Sequence, residues 1–183
     1  LYSAFTAFLG FAVNDGEYKV MGMAPYGVPH YQDKVWKLVD VADDGAFALN
    51  LDYFSFHYSA TETFTPRFEA LFGKPRRPDL PFFTESSGYP SYFGDKPPNY
   101  QQLADENQHY ADIAASIQVV TEEVVLKLGI QMHKETGLKN LCMAGGVALN
   151  CVANGRLLRE GPYERIFVQP AAGDAGGAVG AAA

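Results

Sequence analysis

Through the middle of the chain, apolar residues recur at intervals of three and four: Ile113, Ile117, Val120, Val124 and Leu128. Gln118, Thr121, Glu122 and Lys127 fall on other faces. That spacing predicts one long helix from about Gln101 to Glu135, which Gly137 stops. Earlier segments are shorter. Leu1, Phe5, Phe8 and Leu9 fall near helical spacing, so a short buried helix ends about Gly10. The DGEYKVMGMAPYG stretch allows a helical turn, stopped by Pro25 with Gly27. Tyr31 to Val39 reads as another short helix with Val35, Leu38 and Val39 on one side.

After Asp43, Asp44 and Gly45, the residues Phe47, Leu49, Leu51 and Tyr53 alternate with Ala48, Asn50 and Asp52, as in the half-buried strand of a hairpin. Thr65 to Phe72 is predicted helical, with Pro66 near its first turn. Residues 73–99 are dense in Pro, Gly, Ser and aromatic side chains and form an irregular insertion, of a length that is usually functional or partly disordered. The tail then alternates: the strand LKNLCMA, the turn GGVALN, a helix through Arg156 to Arg159, a strand from Arg165 to Gln169, the turn PAAGDAGG and a final helix. This order predicts an α/β fold.

Length and composition narrow the class. With 183 residues, 48% of them hydrophobic, the chain can bury one substantial core, enough for one domain or one large lobe. A net charge of -7 argues against nucleic acid as the main partner, because backbone binding needs clustered cations. The one basic group, Lys74, Arg76 and Arg77, lies among Pro75, Pro78 and Pro81 and reads as a solvated loop. Cys142 and Cys151 have no metal-like spacing, which suits a reduced cytoplasmic setting. No run reaches the roughly 20 apolar residues of a membrane span, and no signal pattern opens the chain. Opening without Met in LYSAFTAFLGF and stopping inside GGAVGAAA, the sequence is expected to be a piece of a longer protein.

Three segments could carry chemistry. A Gly pair between a strand and a helix, Gly145 and Gly146, lets backbone approach a ligand, and a helix start favours anionic groups; tight strand-helix packing would use the same residues. In Gly173 to Gly177 the carboxylate of Asp174 sits between glycines after a strand, where it can bind a metal or cap the next helix. Both turns follow strands of one sheet, and open α/β sheets bind ligands beyond the carboxyl ends of their strands. In Asp15 to Lys19, Glu17 could accept from ribose hydroxyls and Lys19 could pair with phosphate, or the pair could be a solvated turn. His30, His57, His109 and His133 form no H-x-x-x-H or H-E-x-x-H pair, and no Gly-x-Ser-x-Gly elbow is present.

GEYKVMGMAPYG at Gly16 to Gly27, AGGVALNCVANGRL at Ala144 to Leu157 and PAAGDAGGAVGAA at Pro170 to Ala182 closely resemble the NodU/CmcH carbamoyltransferases of nodulation-factor and antibiotic biosynthesis. The resemblance implies that residues 1–183 are the carboxyl-terminal lobe of a large domain with an actin-like, sugar-kinase-like ATPase (ribonuclease-H-like) fold. It implies ATP and carbamoyl phosphate as co-substrates, a carbamoyl-adenylate made by a second, carboxyl-terminal domain, and transfer to a hydroxyl of a small-molecule acceptor. Gly145, Gly146, Val147 and Asn150 become the adenylate candidates, joined by Glu17 and Lys19. Asp174 becomes the ligand of a divalent metal, often iron, whose two histidines belong to an H-x-x-x-H segment that this sequence lacks. An amino-terminal lobe and the second domain would be needed as partners, so the lobe alone is expected to be inactive. The same superfold also hosts sugar kinases and non-catalytic nucleotide-sensing modules, and both remain alternatives.

Overall fold

Phe5 and Phe8 on one short helix meet Phe68 and Phe72 on another, and the amino-terminal part of the chain is built around them. The computed structural model describes all 183 residues. Contacts divide them into two units, Leu1–Asp40 with Phe47–Val120 and Val41–Ala46 with Thr121–Ala183. In chain order the elements are α1 (Tyr2–Phe8), α2 (Glu17–Met23), α3 (Gln32–Val35), β1 (Val39–Val41), β2 (Phe47–Leu49), α4 (Pro66–Phe72), α5 (Tyr100–Thr136), β3 (Asn140–Met143), α6 (Cys151–Glu160), β4 (Arg165–Val168) and α7 (Gly176–Ala182). The protein is mixed α/β, with one long helix and two small two-stranded sheets.

In the first unit the Phe5 ring centre lies 5.0 Å from Phe68 and 5.2 Å from Phe72, both edge to face. Such pairs align a positive ring edge with a negative face and add about 1 kcal/mol each beyond burial. Extended Thr65 and Pro66 start α4 as expected, because proline supplies a helical φ and has no N–H to leave unpaired. The first half of α5 buries Ile113, Ile117 and Val120. Gly27, at the end of the GMAPYG segment, presses on α5: a Cβ there would lie 2.0 Å from the Ala111 carbonyl oxygen. Only glycine allows that approach.

Several expectations are corrected here. The helix expected over Tyr31 to Val39 is four residues long, and Val39 opens β1 instead. The strand expected through Tyr53 ends at Leu49, because the Asn50 side chain accepts from the Asp52 N–H at 3.2 Å and turns the chain into a short 3-10 segment. Phe47 and Leu51 are exposed, so the alternation there marks no buried face. Leu128 is 37% exposed, and over this half of α5 Leu126 is the buried large apolar side chain. Here the neighbours are β3, β4 and α6, and they select a different stripe of the helix.

The basic group is not a solvated loop throughout. Arg76 is 5% exposed, its guanidinium donates to the carbonyls of Leu9 (3.4 Å) and Leu80, and its own N–H bonds to the Phe8 carbonyl at 2.8 Å. Burial lowers its pKa, against the opposing influence of Tyr110 and Asp79. Arg76 therefore ties the 73–99 insertion to the end of α1, while Lys74 and Arg77 stay in solvent.

In the second unit β3 and β4 run parallel in register, Leu141 opposite Ile166 and Met143 opposite Val168, with α6 as the crossover. Leu126, Leu157 and Tyr163 form its core, against which Leu141, Met143 and Ile166 pack. Tyr163 donates to the Gly129 carbonyl at 2.8 Å, which satisfies a hydroxyl sealed in that core.

Candidate functional site

A parallel pair of strands puts both following turns at the same edge of the sheet, and here the turns are joined directly. The Gly145 N–H donates to the Ala172 carbonyl at 2.7 Å, linking the turn after β3 to the turn after β4. Gly145 has φ +98, a conformation that side-chain-bearing residues rarely adopt. No atom lies within 4 Å of where a Cβ would stand on Gly145 or Gly146. Packing therefore does not demand glycine at 146, and the space beside both residues is open.

Asn150 is buried, and its Oδ1 accepts from the Ala153 N–H at 3.0 Å, capping α6. Its oxygen is thus committed to the helix start. Asn154, one turn further on, donates from Nδ2 to the Ala148 carbonyl at 2.7 Å and steadies the glycine turn from beneath. The Asn154 Oδ1 and the Gln169 Oε1 are buried acceptors with no partner. Sequence reasoning missed both residues; for Asn154 the available signal was its place in the first turn of α6, four residues after the Asn150 cap. Val147 is 51% exposed beside the turn.

Below the turns, Arg156 donates to Glu123 at 2.9 Å and to Glu160 at 3.0 Å. Burial opposes its charge, but the bonds to Glu160 and then Glu123 outweigh it and raise its pKa. This ion-pair group fixes α6 against the second half of α5.

Asp174 is exposed, and α7 begins from Ala175 without a side-chain cap. The capping role is therefore not realised. A single carboxylate does not hold a metal, and no group of three His, Cys, Asp or Glu side chains stands together to complete a site. The residues present do not form a metal centre by themselves.

Glu17 and Lys19 belong to the first unit, the glycine turns to the second. The Glu17 Oε1 accepts from the Asn14 N–H at 3.0 Å, bracing a turn in which Asn14 has φ 65. Lys19 is exposed, with its ammonium 5.6 Å from the Tyr18 ring centre. Two of the histidines take structural places: His109 bridges the Tyr31 hydroxyl and the Phe72 carbonyl, both at 2.8 Å, and His133 meets the Leu138 carbonyl at 2.8 Å, while His30 and His57 are exposed.

The whole chain, residues 1–183, matches the family model described as carbamoyltransferase N-terminus. The chain belongs to that family. It is 53% identical over 184 residues to an uncharacterised protein of Synechocystis sp. strain PCC 6803, covering 100% of this chain and 26% of that protein. Nodulation protein NolNO of Sinorhizobium fredii strain NGR234 is 36% identical over 184 residues, covering 100% of this chain and 22% of the relative. Nodulation protein NolO of Bradyrhizobium diazoefficiens strain USDA 110 is 35% identical over 178 residues, covering 96% of this chain and 26% of the relative. The family member described here thus spans about a quarter of the length of the curated relatives it matches. No helix of this carbamoyltransferase-family chain is long and apolar enough to cross a membrane.

Proposed function

We propose that the intact protein is an O-carbamoyltransferase and that these residues supply the carboxyl-terminal lobe of an actin-like nucleotide-binding domain. The supporting observation is the pair of glycine turns joined by the Gly145 to Ala172 bond, with open space beside Gly145 and Gly146. Backbone N–H groups at such a turn meet anionic oxygen without side chains in the way. Gly145, Gly146 and Val147 line the adenylate, and Asn150 and Asn154 hold the turn in shape.

In the transfer step an acceptor hydroxyl attacks the carbamoyl carbon of a carbamoyl-adenylate. The new bond joins the acceptor oxygen to that carbon, the bond from the carbon to the AMP oxygen breaks, AMP leaves and the hydroxyl proton passes to a base. ATP and carbamoyl phosphate supply the adenylate. Asp174 is proposed as one ligand of a divalent metal, with the other donors outside these 183 residues, and no step is derived through it. A cytoplasmic setting suits these co-substrates.

Product analysis of the intact protein tests the reading. Carbamoyl phosphate consumed with AMP formed is the expected result. Release of ADP with a phosphorylated acceptor would replace it with a kinase, and nucleotide binding without turnover would replace it with a sensing module.

A further inference from the structure

We draw no further inference here: the strongest candidate, the bare face of the β3–β4 sheet on which Phe167 is 61% exposed opposite the exposed Cys142, carries none because nothing in the structure shows what covers it.

Discussion

Gly27 and Ala111 touch through their backbones: a Cβ on Gly27 would lie 2.0 Å from the Ala111 carbonyl oxygen and 2.2 Å from its carbon. Nearby, the Val28 N–H donates to the Asp112 carboxylate at 2.8 Å, and the Tyr31 N–H donates to Ser116 at 2.9 Å. The GMAPYG segment is thereby clamped along one stretch of α5. Gly27→Ala should cost about 3 kcal/mol or more, since the obstacle is helix backbone that cannot rotate away. Denaturant midpoints of the two proteins measure it. A shift smaller than the error would mean that the segment can slide off α5.

Gly146→Val should separate packing from ligand contact. Open space surrounds the position, so the variant should fold with stability within about 0.5 kcal/mol of the parent, the ordinary range for an exposed site. Its ATP affinity in the intact protein should fall at least tenfold, about 1.4 kcal/mol. Equal affinity by calorimetry would remove the turn from the nucleotide site.

Asp174→Asn should leave stability unchanged, because the carboxylate caps nothing and pairs with nothing. If Asp174 is a metal ligand, metal content of the purified intact protein and its transfer rate should fall together. Elemental analysis reads the first independently of activity. Normal metal content in a well-folded variant would end the ligand assignment.

Tyr163 should make the protein sensitive to alkali. Burial raises its pKa above the ordinary tyrosine value. The folded state therefore holds the proton more tightly than the unfolded state. The resulting stability is complete below the unfolded pKa of about 10 and is lost as pH rises through the folded value. Tyr163→Phe removes the bond to the Gly129 carbonyl and should cost about 1 kcal/mol at neutral pH. It should also flatten the fall of stability above pH 10, with Tyr31 and Tyr110, raised by burial in the same sense, accounting for the remainder. Unfolding curves recorded at neutral and alkaline pH compare the two slopes, and identical slopes would count against Tyr163.

Periodicity and turn chemistry alone determined the long helix, the helix opened by Pro66 and the two glycine turns after the final strands, because each depends on neighbours close in the chain. Gly137 was legible for the same reason: its φ of +66 ends α5 where a left-handed residue is needed. The three motif segments likewise sufficed to place the chain in its family. Only the tertiary structure decided which positions of those elements are buried. Leu126 displaced Leu128 because β3, β4 and α6 lie along that stretch of the helix, and no local spacing encodes which stripe distant strands will cover. Arg76 left the solvent because carbonyls of Leu9 and Leu80 surround it, the first far away in sequence. Gly145 met Ala172 because β3 and β4 pair in parallel, a long-range choice that joined two turns the sequence could only set side by side. Local residues set the conformations available to each segment. Long-range packing set which of their atoms face a neighbour or water.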